Sequence, residues 1–355
     1  MNKTVLAFGI IFLLIGISFT GSTHSLTMIK SQILSFEGKT LYVGGSGEGN
    51  YTSIREAIND ASDGDTVFVY DDSSPYEEWA IKIYKSISLI GENRDTTVIN
   101  DGYGIRLEAN GVTISGFTIT KNGLNTEKSR NLVVSDNHFI DGRNYGIVFD
   151  RNDNGFIISN TFKDCDISII NEYSNNIRIS NNTMEYTIST EQIYNGEIWC
   201  DRGNNYIITN NTFINHKKEA YRNGLNLINI GNSIISGNKF NGYENAIWTY
   251  AINSNLISYN NFNNNKIAIT LGIASGSNKV NNNNFINNRH EACLFPLFKD
   301  NWDGNYWDKY KGKDNDGDGI GDTPHISFGG LGFAIDHYPA MKPYNITTTQ
   351  GCGII

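Results

Sequence analysis

Residues 256–285 read LISYNNFNNNKIAITLGIASGSNKVNNNNF, and this stretch holds the pattern that decides the fold. A short apolar run precedes Asn-x-Phe at Asn260 and again, 23 residues later, at Asn283. Outward from there, the pattern recurs at Asn137-His138-Phe139, Asn160-Thr161-Phe162, Asn182-Thr183-Met184, Asn211-Thr212-Phe213 and Asn238-Lys239-Phe240. Phe117 is interpreted as a degenerate earlier member. From Phe117 to Phe285 the successive intervals are 22, 23, 22, 29, 27, 22 and 23 residues.

A basal period of 22 to 23 residues with two enlarged repeats is typical of a solenoid, because insertions fall in loops while the packed positions keep their register. Each repeat is too short for a strand, a crossover helix and a second strand. The repeats therefore predict an all-β, single-stranded right-handed parallel β-helix. We expect the recurring Asn to adopt the left-handed conformation of a sharp corner and to bond to the same amide one coil away.

The composition supports a folded β protein and excludes some partners. The chain has 28 Lys and Arg against 37 Asp and Glu, so its net charge of −9 argues against nucleic-acid binding. Aromatic residues make up 12%, which argues against disorder. Only 5 of the 355 residues are Pro, which suits continuous parallel ladders that cannot lose donors. We predict a monomer.

The N-terminal segment is predicted to direct export. Lys3 precedes 15 uncharged residues, Val5 to Phe19, a length typical of a signal peptide and shorter than the ~20 residues of a membrane-spanning helix. We assign residues 1–25 to a signal peptide and expect a secreted, periplasmic or cell-surface protein. The alternative is an uncleaved anchor, which would be the only membrane contact. The four cysteines, Cys165, Cys200, Cys293 and Cys352, allow two disulfides in three pairings or none.

Both ends of the solenoid are predicted to be capped. Ser53 and Glu56 fit a capping box, and an apolar stripe follows at helical spacing, so we expect a helix over about 53–62. The predicted domains are the β-helix with this cap over 40–291, a C-terminal cap over 292–343 and a polar tail over 344–355.

An acidic loop in the C-terminal cap predicts a calcium site. Residues 314–322 read DNDGDGIGD and reproduce the first nine positions of a calcium-binding loop. Position 12 is His325 rather than Glu, which leaves the missing oxygen to Asp336 or water. The predicted calcium is structural and fixes the cap to the rod; the alternative is a solvated acidic turn. The predicted ligands are Asp314, Asp316, Asp318, the carbonyl of Ile320, and Asp322.

One outward face of the solenoid carries aromatic and acidic residues. Alternation along the strand places positions 14 and 12 before each repeat Phe on the outside. The first position predicts a column with Trp199 and Trp248, the second a column with Asp150, Glu172, Asp201 and Tyr250. Aromatic rings beside carboxylates suit a polysaccharide or other glycan. The predicted carbohydrate-binding residues are Trp199, Trp248 and Tyr250. Alternatively, the insertions near residues 190 and 218 bury the tryptophans as ordinary packing.

The same face holds the candidates for catalysis. Asp150, Glu172 and Asp201 would lie one coil apart, and carboxylate pairs at such spacings serve glycoside hydrolysis. Asp201 with Arg202 is the candidate base and cation of a polysaccharide lyase, although pairing of the Arg with the acid is the commoner arrangement. We find none of the local motifs of polygalacturonases or mannuronan epimerases, which weighs against an enzyme.

Two groups of motifs resemble known families. The segments 51–58, 64–67, 87–91 and 97–99 resemble the opening of pectin-lyase-like β-helices. The repeats, with segments 304–310, 316–324 and 336–339, resemble the NosD-type surface and periplasmic β-helix proteins of archaea. The resemblance covers about residues 40–343. It implies the fold, whereas this fold carries lyases, hydrolases, esterases, epimerases and proteins without catalytic activity.

The NosD resemblance also implies an accessory role in maturation of the copper enzyme nitrous oxide reductase. Copper prefers clustered Cys, Met or His ligands, and the 4 Cys and 4 Met here are scattered, so we do not assign copper to this chain. Three functions remain open. They are a carbohydrate-binding or surface-structural module, a polysaccharide lyase or glycoside hydrolase acting around Asp201, and a NosD-like periplasmic accessory protein.

Overall fold

Three parallel sheets wind around one apolar core. The structure, a computed structural model, describes residues 38–141, 145–188, 196–217, 221–295 and 300–346. Each coil contributes one strand to sheet A, then one to sheet B, then one to sheet C, and successive coils pair in parallel. This confirms the right-handed parallel β-helix. The predicted signal peptide lies outside the described residues.

The three sheets are defined by their strands. Sheet A contains Thr40–Val43, Thr66–Val69, Ser88–Gly91, Thr113–Ser115, Val133–Ser135, Phe156–Ile158, Arg178–Ser180, Ile207–Thr209, Ile234–Ser236, Leu256–Ser258 and Lys279–Asn281. Sheet B contains Tyr76–Glu78, Val98–Asp101, Thr118–Lys121, His138–Ile140, Thr161–Lys163, Thr183–Tyr186, Thr212–Asn215, Lys239–Asn241, Asn261–Asn263, Asn284–Ile286 and Tyr306–Trp307. Sheet C contains Lys82–Ile83, Ile105–Leu107, Leu124–Glu127, Ile147–Asp150, Ile169–Glu172, Gly196–Asn204, Asn223–Gly231, Asn245–Tyr250, Ile267–Leu271 and His290–Leu294.

The repeat Phe positions form a buried stack on sheet B. Their rings face each other with centroids 4.4 to 5.4 Å apart, and Met184 stands in the middle of the stack. Trp307 continues the stack, 4.2 Å from Phe285. The assignment of Phe117 as an earlier member is wrong, because Ile119 pairs with Phe139. Phe117 instead fills the corner position that Asn occupies in later coils, and its N–H donates to Asn137.

An amide ladder runs along the corner between sheets A and B. Each ladder Asn donates its Nδ2–H and its backbone N–H to the Oδ1 of the Asn in the next coil, at 2.9 to 3.1 Å. The eight members, all nearly inaccessible to solvent, are Asn137, Asn160, Asn182, Asn211, Asn238, Asn260, Asn283 and Asn305. The predicted amide bonding is confirmed.

The left-handed conformation belongs to a different residue than predicted. The residue before each ladder Asn has a positive φ, and this set is Asp136, Ser159, Asn181, Asn210, Gly237, Tyr259, Asn282 and Gly304. The ladder residue itself needs ordinary backbone geometry so that its buried amide points along the rod. Only three of these eight corner residues are Asn, because several residue types tolerate one left-handed position when packing fixes it.

A short helix closes the N-terminal end of the rod. It spans Ile54–Asp60, and Ser53 caps it by accepting from the N–H of Glu56. Glu78, one turn further along the solenoid, accepts from the N–H of Ile54 at 2.7 Å. The helix buries Ile54, Ala57 and Ile58 against the first coils. Within the described part of the chain, no helix is long and apolar enough to cross a membrane.

A hairpin and one buried carboxylate close the C-terminal end. The hairpin strands are His325–Gly329 and Gly332–Asp336. Asp336 is fully buried and accepts from the N–H groups of Gly304, Asn305 and Tyr338 and from Nε1 of Trp307, at 2.7 to 3.0 Å. Asp336 therefore ties the hairpin to the last rung of the amide ladder.

Candidate functional site

The outward face of sheet C aligns two tryptophans. Strand register places Trp199 opposite Asn226 and Asn226 opposite Trp248, so the two indoles stand two coils apart in one column. At about 4.8 Å per coil the separation is close to 10 Å. Both tryptophans are partly exposed, and Tyr250, in the neighbouring column, is 44% exposed. The predicted insertions near 190 and 218 lie outside the described residues.

A column of four carboxylates lies beside the tryptophans. The register pairs Glu127 with Asp150, Asp150 with Glu172 and Glu172 with Asp201. The sequence analysis found the last three and missed Glu127, although Glu127 also stands 12 residues before a repeat Phe, Phe139. Continuing the same count one repeat further would have identified it.

Two arginines at the end of these strands pair with the acids. Arg151 lies 2.8 Å from Asp150 and 3.1 Å from Glu127. Arg202 lies 2.6 Å from Asp201, and their hydrogen bond raises the pKa of Arg202. Tyr173 occupies the coil between the two arginines, with their guanidinium carbons 5.4 and 4.2 Å from its ring centroid. The column is thus a partly neutralised, cation–π supported strip.

This geometry limits what Asp201 can do as a base. Its Oδ2 accepts from both Nε and a terminal nitrogen of Arg202, and only 7% of the residue is exposed. A proton taken up at this carboxylate would weaken a short ion pair. Asp150 has one oxygen, Oδ1, that is buried without a hydrogen-bond partner.

A fully buried ion pair stabilises the two enlarged coils. Nε of Arg222 lies 2.7 Å from Oε1 of Glu197, and both side chains are at most 5% exposed. Arg222 also donates to the carbonyl of Cys165 and stacks on Tyr186. Ser168 donates to Glu197 at 2.6 Å. Burial disfavours the charged Arg222, yet the Glu197 carboxylate outweighs this effect and raises the pKa of Arg222. Sequence reasoning missed this pair.

The acidic loop of the C-terminal cap brings three carboxylates together. Asp314, Asp316 and Asp318 place one oxygen each within 4.8 Å of one another, an arrangement that suits a metal ion. Asp314 accepts from the N–H groups of Gly317 and Gly319, and these bonds lower its pKa despite a small opposing desolvation. Hydrogen bonds from Gly321 to Pro339 and from Met341 to Gly319 fix the loop to the last segment of the chain.

The other residues assigned to this loop behave differently. Asp322 accepts from the N–H of Asn315 at 2.9 Å and does not belong to the three-carboxylate cluster. Ile320 is exposed, and its N–H donates to Asp318. The suggestion that Asp336 supplies the missing oxygen is wrong, because both Asp336 oxygens already accept buried N–H donors.

The donors that copper prefers are dispersed in the described residues. Four of the histidines pair with separate carboxylates, namely His138 with Asp95, His216 with Glu185, His325 with Glu291 and His337 with Asp303. Met184 and Cys200 are buried in the core. No described cluster of His, Cys, Asp or Glu other than the Asp loop meets the geometry of a metal site. Carboxylate oxygens favour hard cations such as calcium over copper.

Solved structures share the fold at low sequence identity. A variant of the periplasmic alginate epimerase AlgG is 15% identical, with a TM-score of 0.48, 64% of this chain covered and 59% of that chain. The PL6 family alginate lyase AlyGC is 16% identical, with a TM-score of 0.45 and coverages of 76% and 39%. This chain thus spans less than two thirds of either protein. A tailspike variant of E. coli bacteriophage HK620, in complex with a pentasaccharide, is 10% identical, with a TM-score of 0.49 and coverages of 79% and 67%.

Family membership follows from the sequence itself. No curated protein matches the chain. The profile of the NosD family, described as a periplasmic copper-binding protein, matches residues 58–197 and 186–312, which together cover most of the β-helix. This confirms the resemblance and agrees with the expected location in the periplasm or outside the cell. The chain therefore belongs to the NosD family.

Proposed function

We propose that this periplasmic or surface β-helix protein binds a glycan on the outward face of sheet C and carries a structural calcium ion in its C-terminal cap. The observation that supports the glycan site is the shared column of Trp199 and Trp248 beside the carboxylates. Flat indole rings stack on the apolar faces of sugar rings, and carboxylates accept from sugar hydroxyls. A separation of about two strand spacings lets both indoles contact one extended glycan chain.

Removal of either tryptophan is expected to weaken glycan binding at least tenfold. Trp199→Ala and Trp248→Ala each delete a partly exposed aromatic anchor, and such anchors typically contribute more than ~1.4 kcal/mol to binding. The measurement is a glycan array followed by calorimetry on the strongest hit. Trp79→Ala is the matched control, since Trp79 is 62% exposed away from this face. Equal loss in the control, or no loss in either variant, would contradict the site.

The same preparation decides between binding and catalysis. A polysaccharide lyase or glycoside hydrolase would release unsaturated uronates or reducing ends, and turnover would be lost in Asp201→Ala. Binding without turnover supports the proposed module. The pairing of Asp201 with Arg202 favours this outcome, because a general base must be free to accept a proton.

The calcium proposal rests on the three converging carboxylates and the attachment of their loop to residues 339–341. A cation there would neutralise the repulsion between the acids and fix the cap. Saturating calcium is therefore expected to raise the melting temperature by roughly 3–6 °C over a chelator-treated sample. Asp316→Ala should abolish this response, and Asp95→Ala, an exposed acid elsewhere, should retain it. An unchanged wild-type melting temperature would remove calcium from the proposal.

The third candidate is an accessory role, favoured by family membership. The family description names copper, but the described residues offer a hard-oxygen cluster and dispersed histidines. Neither glycan binding nor turnover would support this role over the other two. Titration with Cu²⁺ in the thermal experiment tests the metal choice directly, and we expect a smaller shift than with calcium.

A further inference from the structure

The C-terminal hairpin has an apolar outer face. Alternation along its two strands turns Ser327, Ala334 and Asp336 toward the rod, where each is at most 4% exposed. The opposite face carries Ile326, Phe328, Phe333 and Ile335 in two cross-strand pairs. Solvent reaches 46% of Ile326, 71% of Phe328 and 55% of Phe333. A solvent-facing sheet surface normally carries polar residues at these positions.

The tip of the hairpin extends this apolar surface. The turn consists of Gly330, which has a φ of 66°, and Leu331, which is 80% exposed. From Ile326 to Ile335 the sequence contains no charged residue. The nearest charges, at His325 and Asp336, point inward, where His325 meets Glu291 at 3.4 Å and Asp336 holds the end of the ladder.

The hairpin is held rigidly while its outer face stays free. The N–H of Leu331 donates to the carbonyl of Leu294, and Asp336 binds four donors from neighbouring segments. Such a mount presents the apolar side chains in one fixed orientation. Large exposed apolar patches mark sites that contact a protein or a membrane.

The size of the patch distinguishes between these partners. Because a buried aromatic side chain covers ~150–250 Å², the four most exposed side chains present on the order of 400 Å². A stable protein–protein interface takes about 800 Å² from each partner, so a second copy docked on this patch alone would fall well short. A bilayer imposes no such requirement, because each side chain enters the lipid independently. The NosD family is periplasmic, so membranes bound its compartment.

We propose that the hairpin inserts Phe328, Leu331 and Phe333 into the surface of a lipid bilayer and holds one end of the rod there. The sequence analysis assigned membrane contact to the N-terminal segment alone; the hairpin supplies an attachment at the opposite end of the solenoid. An apolar insertion of this kind depends weakly on ionic strength, unlike attraction of a basic surface to anionic lipid.

Vesicle flotation of the exported chain tests the proposal, after mass spectrometry has confirmed that the N-terminal segment is absent. We expect wild-type protein to float with phosphatidylcholine vesicles in both 0.1 M and 1 M salt. The triple variant Phe328→Ser/Leu331→Ser/Phe333→Ser should lower the floating fraction at least tenfold. Phe156→Ser is the matched control, because Phe156 is a 40% exposed Phe on sheet A. Unchanged melting temperatures would show that all variants fold.

Three outcomes would overturn the proposal. One is equal flotation of the wild type and the triple variant, and another is binding that salt abolishes. The third is a wild type that ignores vesicles but sediments as a dimer, with the triple variant monomeric by ultracentrifugation. That result would make the hairpin an interface between copies of the chain.

Discussion

Arg222→Met is expected to lower the free energy of unfolding by about 3–5 kcal/mol, because it leaves the Glu197 carboxylate buried without its cation. Glu197 is at most 2% exposed, so water cannot replace the lost partner. Its remaining donors are the hydroxyls of Ser168 and Tyr243. The carbonyl of Cys165 also loses its guanidinium donor. Urea denaturation, with the midpoint and slope compared to wild type, measures the change.

Two variants make this experiment specific. The double variant Glu197→Leu/Arg222→Met removes both charges and should be more stable than Arg222→Met alone, because apolar side chains can occupy a buried ion-pair site at little cost. Arg151→Met removes an exposed arginine with two ion pairs and should cost no more than about 1 kcal/mol. If Arg222→Met and Arg151→Met were equally mild, the buried pair would not stabilise the enlarged coils.

The fold could be predicted because one periodic pattern specifies it. The spacing of the repeat Phe fixes which residues stack, and the structure reproduces this register from Phe139 to Phe285. The error at Phe117 arose where the pattern fades, since Ile119 rather than an aromatic residue occupies the core there. At the other end, Asn305 and Trp307 continue the pattern with a different aromatic, and they were assigned to the cap instead.

The outward columns followed from the same period, whereas individual contacts did not. Counting from the repeat Phe placed Trp199 and Trp248 in one column. Nothing in the spacing indicates that Glu197 and Arg222 meet, because the two enlarged coils lack the basal period that relates neighbouring positions. The role of Asp336 was equally hidden. Its carboxylate caps the last rung of the ladder through contacts across about 30 residues, and such long-range bonding has no local sequence signal.

Asn211→Leu is expected to cost on the order of 5 kcal/mol, although leucine closely matches asparagine in volume, because three buried polar groups lose their partner at ~1–3 kcal/mol each. Oδ1 of Asn211 accepts from both the backbone N–H and the Nδ2–H of Asn182, and its own Nδ2–H donates to the carbonyl of Ile179. None of these groups reaches water, since the ladder is at most 1% exposed here. Asn253→Leu, at an exposed position, should change stability by less than about 0.5 kcal/mol. A thermal and urea comparison of the two variants decides the matter. Equal stability would mean that the recurring Asn reflects only corner geometry, whereas a large difference shows that amide pairing between coils keeps the rod in register.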